Sequence, residues 1–196
     1  MPTQHEIDQI LAQVVARLAK IDGIAAIVLG GSRARGTADD RSDIDLGIYY
    51  DGAHPFSTSA LGAAARELDD RHADGLVTSF GEWGPGVNGG GWLEIRGNHV
   101  DFLYREIGAV REVIEDCING RVRSVYQLGH PMGFQMQIYA GEIHVCRPLF
   151  AATRSANSNL WCTSIPRSFA TLPSASICST PNSKSRLLPS RPNART

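Results

Sequence analysis

No acidic residue follows Glu142 in this chain of 196 residues, and that absence divides the sequence in two. Residues 1–146 hold all 20 acidic side chains against 12 basic ones, whereas residues 147–196 hold 7 basic and none acidic. The net charge of −1 therefore hides an acidic body and a basic tail. An acidic body argues against nucleic acid as a partner, which needs a basic face. No apolar run is long enough to span a bilayer, and the polar start MPTQHEIDQI lacks a secretory pattern, so no membrane partner is expected. Cysteine is scarce too. Cys117, Cys146, Cys162 and Cys178 make no C-x-x-C pair and no metal spacing, which speaks against a disulfide framework and for a reducing cytoplasm.

What is present fits one ordinary domain over residues 1–146 with an appendage over 147–196. Ile7, Ile10, Leu11, Val14, Val15 and Leu18 recur at helical spacing, with Thr3 and Glu6 at capping-box distance and Gly23 as a stop. Ile24 to Leu29 suits a buried strand, and a helix is expected from about Thr58 to Asp70. Leu76 to Phe80 reads as a third strand, followed by a glycine-dense loop, GEWGPGVNGGG, over residues 81–91. Trp92 to Ile95 and His99 to Tyr104 around Arg96-Gly97-Asn98 predict a hairpin. Ile107 to Asn119 predicts a helix ended by Gly120, while Gln135 to Cys146 suits a helix or a strand. From about Phe150, Ser, Pro, Arg, Thr and Asn dominate without periodicity. A disordered basic tail or an out-of-frame product of a GC-rich gene would read this way, and little regular structure is expected there.

The chemistry concentrates between Ile27 and Tyr50, in IVLGGSRARGTADDRSDIDLGIYY. An apolar strand, a Gly30-Gly31-Ser32 turn into a short helix, and a second strand carrying Asp43 and Asp45 are expected. Residues two apart on a strand share a face, so the two carboxylates project together. In isolation they repel, and a divalent cation between them removes the repulsion. A glycine turn opening a helix offers bare N–H groups to a phosphate. Arg33, Arg35 and Arg41 stand close enough in sequence to neutralise phosphate charge. In the 81–91 loop and just beyond it, Glu82, Trp83, Asn88 and Trp92 make an acceptor-binding or lid segment, Trp stacking on a base or a sugar face or simply packing at the core or rim, and Glu82 as an alternative base.

Gly30-Gly31-Ser32 followed by Asp43-Ile44-Asp45, with apolar strands on both sides, resembles the motif pair of the polymerase-β-like nucleotidyltransferase superfamily. Within it the chain is similar to small bacterial nucleotidyltransferases, the antibiotic adenylyltransferases and toxin–antitoxin nucleotidyltransferases. The resemblance spans roughly residues 24–104. It implies an α+β nucleotidyltransferase fold, a mixed sheet with helices packed on one side, followed by an irregular tail. It also implies a third carboxylate on a nearby strand, for which Asp101 in NHVDFLYRE is the best match. Asp43, Asp45 and Asp101 would then be catalytic residues and ligands of a pair of magnesium ions. Gly30, Gly31, Ser32, Arg33 and Arg41 would hold a nucleoside triphosphate, ATP by expectation. The implied reaction moves AMP to a hydroxyl on an antibiotic-like small molecule or a protein, and an oligomer is compatible with it. The helical C-terminal domain that completes the acceptor pocket in antibiotic-modifying relatives has no recognisable counterpart. An antitoxin-like binding module, or a remnant lacking an acceptor site, stands as the alternative.

Overall fold

The computed structural model describes residues 3–127 and 129–152, so the expectations for the tail from residue 153 onward lie outside the described residues. Helix α1 (Gln4–Leu18) opens with the reciprocal cap its sequence predicts. Glu6 N donates to Thr3 Oγ1 at 3.2 Å and Thr3 N donates to the Glu6 carboxylate at 2.6 Å. Its stripe of Ile7, Ile10, Leu11, Val14 and Leu18 is buried.

Seven strands and four further helices follow: β1 (Ile24–Leu29), α2 (Gly31–Arg35), β2 (Ile44–Tyr50), α3 (Thr58–Leu68), β3 (Gly90–Ile95), β4 (Asn98–Glu106), α4 (Ile107–Ile118), β5 (Ser124–Gln127), β6 (His130–Gln135), α5 (Ile138–Val145) and β7 (Arg147–Ala151). Five of the strands form a mixed sheet in the order β3-β4-β2-β1-β7, in which only β2 and β4 run parallel, and β5 and β6 pair separately. A parallel pair needs a crossover, and α3 with β3 supplies it.

Alternation along the strands decides which side chains meet the core. Ile27, Leu29, Ile44, Leu46, Ile48, Val100, Phe102 and Tyr104 join the buried stripes of α1 and α3 on one face. On the opposite face, Ala26, Val28 and Tyr49 pack with Val110, Val113 and Ile114 of α4, Phe134 of β6, and Tyr139, Ala140 and Ile143 of α5. The α+β class and the mixed sheet stand as expected, but helices cover both faces rather than one. That second cover leaves Asp45 and Asp101 only half-buried.

Three expectations change in detail. Leu76–Phe80 does not form a strand; only Val77 makes an isolated bridge, to Gly91, because the chain there turns into the glycine loop. The ambiguous segment 135–146 resolves into the end of β6 and α5. The sheet also continues past residue 146, since β7 pairs with β1. The hairpin forms as expected, with Arg96 and Gly97 at φ 51° and 69°, the two left-handed residues a two-residue turn requires. The Asp70 carboxylate accepts both their amides at 2.9 and 2.8 Å. Among the described residues, no helix is long and apolar enough to cross a membrane.

Asp69 is a buried carboxylate beside this hairpin, and its bonds make a testable contribution to stability. Its oxygens accept from Arg71 Nη2 (2.8 Å), Arg71 Nε (3.1 Å), Arg71 N (3.0 Å) and Glu94 N (2.8 Å). The Arg71 hydrogen bonds hold its carboxyl down at about 2. A carboxyl depressed on folding stabilises the fold above its unfolded value, ~3.9, and that contribution is lost as pH falls toward the folded value. Arg71 is half exposed, so screening limits the contribution to about 1–2 kcal/mol. Denaturant titrations from pH 5 to pH 2 (~3 pH units) should show that much stability lost in the wild type through Asp69. An Asp69→Asn variant should start lower and lose correspondingly less over the same range.

Candidate active site

The glycine turn and the carboxylates are locked together by the backbone. Gly30 N donates to Asp45 O at 2.9 Å, tying the end of β1 to the start of β2. Gly31 sits at φ 60°, and a Cβ there would come within 1.7 Å of Asp45 Oδ2, so the turn lies directly on the Asp45 carboxylate. α2 follows, with Ser32 in its first turn, where amides have no acceptor within the helix. Gly36 ends the helix at φ 72° with open space around it. This pair of glycines makes a controlled comparison. Gly36→Ala should cost about 1 kcal/mol of backbone strain, whereas Gly31→Ala adds a clash with a carboxylate and should lower the unfolding free energy by about 3 kcal/mol. Equal effects in denaturant melts would contradict the close approach at Gly31.

Asp45 and Asp101 are register partners on the parallel strands β2 and β4, and Asp101 is in turn the antiparallel partner of Trp92 on β3. Partners directly opposite share a face, so Asp45, Asp101 and Trp92 form one row across three strands. Asp43 lies one residue before β2, exposed rather than on the strand as expected. Its carboxylate still acts on both partners. Burial first, then Asp43 and Asp45, push Asp101 up to about 6, with His99 pulling the other way. Burial, then Asp43 and Glu142, raise Asp45 against the opposing pull of Arg35 and Arg105. These are oxygen-only donors repelling one another, a set whose chemistry suits a hard divalent cation. As the side chains stand, no group of three or more His, Cys, Asp or Glu among the described residues makes a ready metal site.

The arginines near the turn divide by role. Arg33 donates from Nε to Asp43 O (3.1 Å) and from Nη2 to Ser42 O (2.6 Å), so it fixes the loop that carries Asp43. Arg35 is exposed and is the first-ranked cation drawing Asp45 down. Arg41 is exposed, its amide donating to Asp39 Oδ1 at 3.0 Å.

Two further groups shape the site, Arg105, to which the sequence assigns no role, and Gln127, which it offers only as a pocket-lining residue that nothing requires. Arg105, on the same face of β4 as Asp101, is buried against Glu142 of α5 through Nε (3.0 and 3.2 Å) and Nη2 (2.7 Å). It also donates to Tyr104 O at 3.1 Å and lies 4.8 Å from the Tyr139 ring centroid. An arginine two residues on from Leu103 and four from Asp101 was the available signal; its partner, 37 residues away, gave none. The second group is Gln127, buried at the end of β5. It donates from Nε2 to Trp83 O and accepts from Gly86 N (2.9 Å) and Val87 N (3.0 Å). Tyr139 OH donates to Gly86 O, and Asn88 donates to Tyr50 OH while accepting from Gly81 N at 2.5 Å. The glycine loop is therefore clasped from several sides.

Of the acceptor-side candidates, Glu82 accepts from Ser79 N at 2.9 Å and closes a turn. Trp83 stacks on Trp92, their ring centroids 4.6 Å apart and 29° from coplanar. A cavity of about 800 Å³ lies at the other end of β1 among Lys20, Asp22, Asp51, His54 and Phe150, and includes none of these groups.

Residues 10–119 match a family model described as a nucleotidyltransferase domain, a span that includes the glycine turn, all three aspartates and both tryptophans. It ends before Gln127 and Glu142. No curated protein matches the chain.

Proposed function

The chain belongs to the nucleotidyltransferase domain family, and from that premise we propose that it moves AMP from ATP to a hydroxyl acceptor, releasing pyrophosphate with the help of magnesium. The observation that carries this reading is the contact between the glycine turn and Asp45, with Asp101 beside it in register. A phosphate on the turn and a carboxylate pair within one strand spacing are what phosphoryl chemistry requires.

In this reading Ser32 and the amides of Gly31 and its neighbours hold the triphosphate. Arg33 and Arg41 neutralise its charge, Arg33 while still holding the Ser42 and Asp43 carbonyls. Asp43, Asp45 and Asp101 hold the magnesium ions, which when bound offset the repulsion among carboxylates and phosphates. Asp101 stands in register beside Asp45, so it is placed to hold a magnesium ion or to accept the proton of the attacking hydroxyl. The new bond joins the acceptor oxygen to the α-phosphorus, and the bond to pyrophosphate breaks.

The test is incubation with magnesium and labelled triphosphates, together with aminoglycosides, lincosamides and candidate protein acceptors. Magnesium-dependent pyrophosphate release is expected, strongest with ATP, and is expected to vanish in an Asp43→Asn, Asp45→Asn double variant. Release that survives in that variant would sink the proposed site.

A further inference from the structure

We propose that Trp83 and Trp92 form the acceptor-side platform of this site, taking a hydroxyl compound that offers a flat apolar face and carries no phosphate. The proposal rests on the nucleotidyl-transfer reading for the direction of the reaction, and on its own geometry for the platform. Across the face that carries Asp45 the order is the Gly30–Ser32 turn, Asp45, Asp101, then Trp92. A donor bound at the turn leaves the far side of Asp101 for the molecule whose hydroxyl attacks. Trp92 stands there one strand away, about 5 Å in backbone spacing.

The pair is built as a surface rather than as core. Trp92 is 61 % exposed, whereas the rings of Phe56 and Tyr104 on the opposite face are buried. Gly90 lets Trp83 lie close over the strand, since a Cβ there would meet the Phe102 carbonyl oxygen at 1.9 Å and the Trp83 ring at 2.8 Å. The Trp83 backbone is held by buried Gln127, whose Oε1 also accepts from Gly86 and Val87. A large aromatic surface held this way binds flat faces without a large ordering cost. The same stretch carries no counter-charge for a phosphate, because the chain has no Lys or Arg between Arg71 and Arg96. Arg105, the nearest arginine along β4, is buried on Glu142. These features favour a neutral ring, a sugar or a phenol, over a polynucleotide or a phosphorylated acceptor.

The test uses the full chain with Trp161→Phe, so that indole emission reports on Trp83 and Trp92. The probes are methyl α-glucopyranoside, 4-hydroxyphenylacetamide and oligothymidylate, and magnesium–ATP binding is followed separately by calorimetry. A saturable emission change with one neutral probe is expected, and which of the two answers tells sugar from phenol. Trp92→Ala should weaken that probe by about tenfold, Trp92→Phe by less, and neither should weaken magnesium–ATP by a comparable factor. The proposal is overturned if neither neutral probe binds, if Trp92→Ala leaves the probe's Kd unchanged, or if oligothymidylate binds more tightly. Equal loss of magnesium–ATP in Trp92→Ala would overturn it as well, assigning the pair to the donor base. Trp92-dependent probe binding in a protein that binds no magnesium–ATP would keep the platform and remove the nucleotidyl-transfer reading.

Discussion

Asp101→Asn is expected to slow nucleotidyl transfer by roughly a thousandfold, with a smaller change in the KM for the triphosphate. Asparagine has nearly the same shape, so the row from Asp45 to Trp92 stays in place while the proton acceptor disappears. The same change removes a half-buried carboxylate that burial, Asp43 and Asp45 push toward its protonated form. Stability should therefore hold or rise while activity collapses, a split that loss of folding could not produce. Steady-state rates and melting midpoints on the same preparation measure both. A rate within about tenfold of wild type would remove Asp101 from the chemistry.

Arg105→Met is expected to cost about 3–5 kcal/mol, a large share of the ~5–15 kcal/mol that holds a domain of this kind together. The loss comes from Glu142, left as a largely buried, unpaired anion next to Tyr49 and near Asp45, rather than from any missing attraction alone. The Tyr49 phenol, pushed up by burial and then by Glu142, stays neutral and offers that carboxylate one long hydrogen bond, at 3.4 Å. An Arg105→Met, Glu142→Leu double variant removes both charges and should recover most of the loss in denaturant melts. A double variant as unstable as the single one would show that packing around Arg105, and not the bare carboxylate, carries the effect.

The sequence disclosed the parts of this fold whose instructions are local. Thr3 and Glu6, the stripe of α1, the Arg96-Gly97 turn and the two-residue spacing of Asp43 and Asp45 each act within a few residues, and each reads out as expected except that Asp43 stops one residue short of the strand. Asp101 was picked out only through the resemblance, as a third carboxylate on a nearby strand; spacing alone cannot say that β4 lies parallel to β2 with Asp101 opposite Asp45. What stayed hidden depends on contacts across tens of residues. Gln127 looks like any polar residue at a strand end until its three bonds to the loop 40 or more positions earlier are seen. Leu76–Phe80 misled for the opposite reason: a run of strand composition packs on the core as an irregular segment, its pairing with β3 limited to Thr78 N to Gly90 O and Trp92 N to Leu76 O on either side of the Val77 bridge. Helix cover on the second face escaped notice because α5 lies in a segment equally suited to helix and strand.

β7 carries a consequence for how the molecule behaves among its own copies. β1 reads Ile-Ala-Ala-Ile-Val-Leu, six residues without a charge, and β7 supplies its outer hydrogen-bonding partner. Stripped of that neighbour, β1 would become a flat, greasy sheet margin able to recruit a second chain. Cutting the protein at the family-model limit, residue 119, would therefore trade a capped margin for a sticky one. Five residues near the start of the basic segment act as a guard against aggregation, whatever the rest of that segment does.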